Sequence, residues 1–381
     1  SSLWGCPDGA NMLAVATLAQ AKGQILYVAR DDARLALMRD ALVRLAPSLN
    51  ILVFPAWDCL PYDRLSPQGA LVGQRIETLA RLVSMPSSPA EKTTENTIVL
   101  TTVNAFLQRV PPQNYFEESS LHITVGQTIE PSALAGFLVN NAYLRTDTVR
   151  ETGEFAVRGG IVDVFPPGLP NPVRLDFFGD EIETMRSFDP SNQRSIGKAS
   201  SMTLHPVAEF RLDSQTVELF RTSYLAKFGA TASRDALYES VSAERMHPGI
   251  EHWLPLFHTE MARLTDYCAD WPIILDHEAQ AACVARFEQI ADFYEARVDS
   301  GDDASSPYRP LDNEALYLGA DELEMLSAQQ RVCSLQRFAA PDGGGQHEDA
   351  GGRPGLTFTT AMTSGQSAVV EAVDAMQAEM A

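Results

Sequence analysis

Near its start the chain carries the sequence Gly5-Cys6-Pro7-Asp8-Gly9-Ala10-Asn11-Met12. The spacing follows the phosphate-binding loop G-x-x-x-x-G-K-[ST], which joins a strand to a helix in nucleotide-binding α/β domains. Gly5 keeps the first position, whereas Ala10 replaces the second glycine. Asn11 stands in place of the lysine, and Met12 in place of the hydroxyl residue that binds Mg²⁺. The loop indicates a nucleotide-binding fold with a degenerate phosphate site, although an ordinary Gly-rich turn before a helix shares part of this pattern.

The residues after this loop alternate between buried strands and amphipathic helices. Short apolar runs at residues 25–29, 51–54 and 98–100 indicate parallel strands, because helical periodicity separates them. A later run, residues 272–276, ends in Asp276 and resembles the second nucleotide motif, although by itself it also fits a plain buried strand. Together with the degenerate phosphate loop, these runs predict a RecA-like or helicase-like parallel α/β sheet built from N- and C-terminal parts of the chain.

The middle of the chain has a different pattern. From about residue 120 to 207 glycines, prolines and alternating residues dominate, with one helical signal at Pro131–Asn140. This pattern predicts a small strand-rich α+β module inserted in the α/β domain. Gly-rich residues 340–353 predict a flexible linker, and residues 367–380 a helix. The expected division is residues 1–118 and 208–340 for the two parts of the α/β domain, 119–207 for the module, and 341–381 for the linker and terminal helix.

Composition limits the classes of function. The 381 residues include 29 Lys and Arg against 50 Asp and Glu, a net charge of -21. Because DNA phosphates repel such a chain, we expect a basic protein partner rather than direct nucleic-acid binding, although the acidity could also serve solubility alone. No metal-ligand spacing, serine-hydrolase motif or membrane-spanning run is present, and we predict no cofactor or metal. Five widely spaced cysteines without C-x-x-C favour a reduced, cytoplasmic compartment. Cys59 has no histidine near it in the sequence and is expected in the core.

One predicted hairpin carries the strongest candidate for a binding site. Residues 173–178 alternate strictly, Gly179-Asp180 forms the turn, and the returning strand pairs Phe177 with Ile182. The opposite face then carries Arg174, Asp176, Phe178, Glu181 and Glu183. On this face Asp176 is expected opposite Glu183, an unfavourable pair of like charges.

The exposed ring of Phe178 on this charged face is typical of a binding hot spot. Upstream, Arg158 ends a strand before a Gly-Gly turn and could lie beside Arg174. We therefore predict a docking face for a partner rich in Arg or Lys. The alternative is that another element covers Phe178 and that Arg174 pairs with Asp176.

Residues 153–166 (GEFAVRGGIVDVFP) and 174–183 (RLDFFGDEIE) resemble the module that the nucleotide excision repair protein UvrB shares with the transcription-repair coupling factors (Mfd). Residues 54–63 (FPAWDCLPYD) and 103–110 (VNAFLQRV) resemble the coupling factors in particular. The resemblance implies a non-catalytic, UvrB-like N-terminal part that recruits UvrA to stalled RNA polymerase for transcription-coupled repair. By motif, it implies that Arg158, Arg174 and Phe178 contact UvrA, together with Asp176 and Glu181.

The resemblance also implies properties of the full-length family protein, in which a C-terminal ATP-driven DNA translocase follows and the C-terminal domain masks the UvrA-binding face. UvrB itself has an intact phosphate loop and a tyrosine-rich hairpin that clamps DNA. Here the loop is degenerate, and the stretch from Tyr62 to Ile76 has no room for that hairpin. The alternatives are a UvrB-type ATP-dependent repair helicase subunit and a structural spacer, and the spacer would require Phe178 and Arg174 to be buried.

Overall fold

The computed structural model describes residues 2–85, 96–299, 308–338, 347–352 and 370. The strands are β1 (Ser2–Trp4), β2 (Gln24–Ala29), β3 (Asn50–Phe54), β4 (Thr97–Thr102), β5 (Leu121–Thr124), β6 (Leu144–Arg145), β7 (Glu154–Arg158), β8 (Ile161–Val164), β9 (Val173–Phe178), β10 (Glu181–Phe188), β11 (Ser195–Ala199), β12 (Ser201–Leu204), β13 (Ile273–Leu275), β14 (Val332–Leu335) and β15 (His347–Asp349). The helices are α1 (Asp8–Lys22), α2 (Asp32–Leu45), α3 (Gly69–Val83), α4 (Val103–Phe106), α5 (Gln113–Ser119), α6 (Pro131–Asn140), α7 (Ser214–Phe228), α8 (Ala236–Ser242), α9 (Leu264–Tyr267), α10 (Ala279–Asp299), α11 (Asn313–Leu316) and α12 (Ala320–Gln329). Among these helices none is long and apolar enough to cross a membrane.

Seven parallel strands form the main sheet, in the order β15-β1-β14-β13-β2-β4-β3. The first strand of the chain lies between β14 and β15, which come from the C-terminal part. The predicted α/β fold, with one parallel sheet built from both parts of the chain, is therefore confirmed.

The linker predicted at residues 340–353 is wrong for residues 347–349, because they pair with β1 as strand β15. In that register the backbone of β1, which would otherwise lie at the sheet edge, gains hydrogen-bonding partners from β15. The helix predicted at residues 367–380 lies outside the described residues, residue 370 excepted.

The sheet is buried on both faces, as apolar runs without alternation predict. Leu26 and Val28 of β2 enter a core completed by helices α3, α4, α5, α9 and α10. Their neighbours Ile25 and Tyr27 enter the opposite core, which α1 and α2 cover. A third, aromatic core joins residues 57–62 to the helical part after residue 208. The N- and C-terminal parts therefore share their cores as well as the sheet.

Residues 121–204 form a module of different architecture. Its main sheet has six strands in the order β11-β10-β9-β8-β7-β6, and a second sheet pairs β12 with β5. Helix α6, which begins and ends where the sequence predicts, buries Leu134 and Leu138 in the core between them. The chain enters the module after α5 and leaves it before α7, so the strand-rich α+β insertion is confirmed.

A fully buried ion pair fastens the exit of the module to the α/β domain. Arg75 of α3 and Glu209 lie with Nε and Oε1 2.7 Å apart, and neither side chain reaches solvent. The same guanidinium donates to the carbonyl of Pro55 and stacks over the ring of Phe54 at 4.3 Å. Because a lone charge is costly to bury, each member of this pair depends on the other.

Arg75→Ala should lower the free energy of unfolding by about 3 kcal/mol or more, because it leaves the Glu209 carboxylate buried without its counter-ion. Urea denaturation measures the change. Arg81→Ala is the matched control on the same helix, because Arg81 is half exposed and forms a surface ion pair with Glu77. The control should cost less than about 1 kcal/mol. Equal effects of the two substitutions would contradict the role given to the buried pair.

Candidate nucleotide-site remnant and partner-binding face

The degenerate loop joins β1 to α1, as predicted. Gly5 has φ 67°, a left-handed conformation that favours glycine, and Pro7 caps the helix that begins at Asp8. Asn11, at the position of the lysine, is buried, and its Nδ2 lies 3.5 Å from Oδ1 of Asp276 at the end of β13. The structure therefore brings the two sequence-predicted nucleotide motifs together.

Arg34 of helix α2 supplies a cation beside Asp276. Its Nε and Nη2 donate to the two oxygens of Asp276 at 2.9 and 3.2 Å, and its Nη1 donates to Asp8 at 2.9 Å. The Asp276 side chain is fully buried and that of Arg34 is 7% exposed. Hydrogen bonding to Asp276 raises the pKa of Arg34. The carboxylate that would hold Mg²⁺ in an ATPase is instead the partner of an arginine.

Asp8 is also neutralised within the chain. Arg337, which follows β14, donates to Oδ1 of Asp8 at 2.8 Å, in addition to the bond from Arg34. Burial alone would raise the pKa of Asp8, but the two arginines hold it below its usual value. The start of α1 therefore carries compensated charge rather than an open site for an anion.

The segment after β15 packs directly on the loop. A methyl group added to Gly352 would lie 2.4 Å from the carbonyl oxygen of Gly5 and 2.5 Å from Cβ of Ala10. Ala350 also donates its backbone N–H to Trp4 at 2.9 Å. The space beside the first loop glycine is therefore filled by the chain itself. Met12, in place of the hydroxyl residue, packs against the core under α1.

Other candidate chemistry can be assessed from the described residues. Within the described ranges, no group of three or more His, Cys, Asp or Glu side chains is arranged for a metal ion. Cys59 packs against the aromatic core, and His252, which is distant in the sequence, places its Nε2 3.9 Å from the Cys59 Sγ. Burial raises the pKa of Cys59 to about 12 and lowers that of His252 to about 4. Both groups are neutral near pH 7, so the pair lacks the thiolate that a nucleophile requires.

The segment between β3 and α3 bears on DNA clamping. Residues 55–68 form turns and contain no strand. Tyr62 is buried in the aromatic core, where its hydroxyl donates to Oδ1 of Asn313 at 2.6 Å. This stretch therefore presents no exposed aromatic hairpin to a DNA strand.

The predicted binding face is present on the six-stranded sheet. Phe178 is 78% exposed, so no described element covers it. Arg158 and Arg174 converge on Asp163 of β8: Arg158 Nη2 donates at 2.6 Å, and Arg174 donates through Nε and Nη2 at 2.7 and 2.8 Å. Arg174 therefore pairs with Asp163 and not with Asp176, and this hydrogen bonding raises its pKa. Its guanidinium also stacks over the Phe188 ring at 4.7 Å.

The pairing expected between Asp176 and Glu183 is wrong. The register shifts between Ile182 and Thr184, so Thr184 lies opposite Asp176 and donates its hydroxyl to the carboxylate at 2.5 Å. Arg186 adds an ion pair to Asp176 at 3.4 Å. A bulge thus removes the like-charge contact that strict alternation predicts.

All five predicted contact residues lie on one face. Register places Arg158, Ile161, Asp176 and Thr184 in one row across four strands. Phe178, two residues after Asp176 on β9, is paired with Glu181 of β10. Arg174, two residues before Asp176, lies on the same face.

Two residues of this face were not predicted from the sequence. Asp163 and Arg186 make its ion pairs. The signal for Asp163 was an acid within the apolar strand β8.

Comparison with known proteins places these features in a family. Residues 121–210 match the family described as the UvrB interaction domain. The chain is 32% identical over 319 residues to the transcription-repair-coupling factor of Haemophilus influenzae, covering 83% of this chain and 26% of that protein. It is 31% identical over 305 residues to the same factor of Escherichia coli, covering 79% and 25%. It is 29% identical over 252 residues to the same factor of Bacillus subtilis, covering 62% of this chain and 20% of that protein.

The chain belongs to the transcription-repair-coupling factor family. It spans about a quarter of the length of these relatives. The residues matched to the UvrB interaction domain include the whole predicted face, from Arg158 to Glu181. The resemblance seen in the sequence is therefore confirmed.

The ion pair at the nucleotide-site remnant can be tested by stability. Arg34→Met should lower the free energy of unfolding by about 3 kcal/mol, because Asp276 would remain charged and buried. Adding Asp276→Asn to Arg34→Met should restore part of this loss, since it removes the uncompensated charge. Urea denaturation of the two variants and of Asp276→Asn alone measures the coupling. Losses that simply add in the double variant would contradict the pairing, and Arg39→Ala on the exposed side of α2 is the control.

Proposed function

We propose that this chain is a non-catalytic, UvrB-like N-terminal part of a coupling factor and that it binds UvrA through the module at residues 119–207. The observation that carries the proposal is Phe178, a ring 78% exposed in the domain matched to the UvrB interaction domain. On the same face of the sheet, Arg158 and Arg174 are held by the buried carboxylate of Asp163. Large aromatic rings and arginines are the residues enriched in binding hot spots.

The geometry of the face favours a binding role over a spacer role. A spacer would bury Phe178, whereas this ring is exposed to solvent on a strand that is paired in the sheet. Arg158 remains half exposed although one of its nitrogens is bonded to Asp163. Donors fixed in this way lose little side-chain entropy when a partner binds. Asp176 and Glu181 complete the proposed contact set.

The proposed role in the cell follows from the family. In a full-length protein this part would recruit UvrA to a stalled RNA polymerase in the cytoplasm, and the protein's own C-terminal domain would compete for the same face. We propose residues 1–118 and 208–340 as the supporting α/β domain, to whose sheet residues 347–349 add strand β15. We expect no direct binding of nucleic acid by this part, because its net charge is -21.

The alternative function is a UvrB-type ATP-dependent helicase subunit. Three observations favour the non-catalytic role: Asp276 is paired with Arg34, Gly352 packs on Gly5, and Asn11 replaces the lysine. A site of this kind lacks both the cation that binds the phosphates and a free carboxylate for Mg²⁺.

Phe178→Ala should weaken binding to UvrA by about 2 kcal/mol, which is about 30-fold in Kd, because truncation removes the large exposed apolar group of the proposed face. Calorimetric titration of UvrA measures it, and Arg174→Ala should weaken binding as well. Phe338→Ala is the matched control, since Phe338 is 72% exposed but lies outside the module. Unchanged affinity of a correctly folded Phe178→Ala protein would refute the assigned face.

Titration with ATP and Mg²⁺ should give no saturable binding in the millimolar range. Gly352 fills the space beside the loop, and the charge of Arg34 is already paired with Asp276 and Asp8. A fluorescent ATP analogue provides the measurement, and an intact nucleotide-binding protein is the positive control. Saturable binding that Asp276→Asn abolishes would support the helicase-subunit alternative instead.

A further inference from the structure

The exposed face of the six-stranded sheet carries a row of cations. Only one of them, Arg174, is among the five predicted contact residues. Register places Asp163 of β8 opposite Arg174 of β9, Arg174 opposite Arg186 of β10, and Arg186 opposite Lys198 of β11. Residues paired in this way point to the same side of a sheet. We call Arg174, Arg186 and Lys198 the cationic row.

This row is unfavourable for the folded module by itself, because like charges directly opposite each other destabilise paired strands. Arg174 is compensated by Asp163, and Arg186 reaches Asp176 at 3.4 Å. Lys198 is exposed on the edge strand, and the described part of the chain offers it no ion pair. Positive charge therefore accumulates towards β11, in a chain whose net charge is -21.

The other end of the same face has the opposite character. Beyond Asp176 the hairpin ends in Phe178, Asp180 and Glu181, all exposed. A partner that crosses the face therefore meets cations near β11, then an apolar ring, then carboxylates at the hairpin tip. Such a gradient fixes the direction in which the partner lies, because the reversed orientation opposes like charges.

We propose that Arg186 and Lys198 extend the UvrA-binding face to the β11 edge, where they bind carboxylates of an acidic segment of UvrA. This inference rests on the function proposed above and specifies the chemistry of the partner surface. The sequence predicted a partner rich in Arg or Lys. Under this inference, basic partner residues fit only the hairpin tip, and acidic ones fit the β11 edge. A protein fits better than DNA, because Asp176, Asp180 and Glu181 on the same face would repel phosphates.

The test is charge reversal with two readouts. Lys198→Glu and Arg186→Glu should each weaken UvrA binding by about tenfold at low salt, measured by calorimetric titration, with a smaller difference at high salt. Arg39→Glu, an exposed arginine on α2, should leave the affinity unchanged. Lys198→Glu should also keep or raise the melting temperature of the chain, because it places opposite charges across β10 and β11. Weaker binding without loss of stability is a result that a purely structural role does not produce.

The outcomes separate this inference from the proposed function. If Phe178→Ala weakens binding but both charge reversals bind UvrA like the unaltered chain, the extension is overturned and the proposed function stands. If the unaltered chain does not bind UvrA at all, both fall. If duplex DNA binds, and the reversals abolish that binding while UvrA affinity is unchanged, the row is a nucleic-acid site and the inference is overturned.

Discussion

The carboxyl edge of the parallel sheet contains a buried carboxylate, Asp276, whose charge is balanced by the guanidinium of Arg34. Asp276 directly follows β13 and is fully buried, and a buried carboxylate without a counter-ion costs several kcal/mol. In a working phosphate loop a lysine and a bound metal ion supply positive charge at this point. Here Asn11 supplies none, and Arg34 reaches across from α2 to bond both Asp276 and Asp8. The site keeps its geometry because its electrostatic requirement is met from within the chain.

A buried carboxylate paired with arginine also lies at the binding face, where Asp163 is shared by Arg158 and Arg174, but there the consequence is the opposite. At the nucleotide-site remnant all three guanidinium nitrogens of Arg34 already donate to Asp276 or Asp8, so few N–H donors remain for a ligand. At the face, Asp163 is buried but its two arginines are not: Arg158 is 50% and Arg174 is 22% exposed. The carboxylate fixes the guanidinium planes while leaving N–H donors directed to solvent, which lowers the entropy that binding would cost.

Much of the fold was predictable because it depends on local patterns. Unbroken apolar runs identify parallel strands that are buried on both faces, and the alternation in β9 places Phe178 correctly on the solvent side. The long-range features were not predictable. The bulge after Ile182 depends on how the whole hairpin packs. Strict alternation therefore predicted Glu183 opposite Asp176, where the structure has Thr184. Likewise, a Gly-rich stretch gives no sign that residues 347–349 will pair with β1, because the partner strand lies more than 300 residues away.

For the site, residue types were easier to predict than partners. The loss of the lysine at Asn11 is visible in the sequence, but the compensating Arg34 is an ordinary helix residue until the fold brings it to Asp276. The same holds for Asp163, which in sequence is one acid within an apolar strand. An acid at a position that alternation assigns to the solvent face, yet found buried, requires a cation from a neighbouring strand. Applied to β8, that rule identifies the acid about which both arginines are arranged, and it makes the positions of Arg158 and Arg174 consequences of one buried charge.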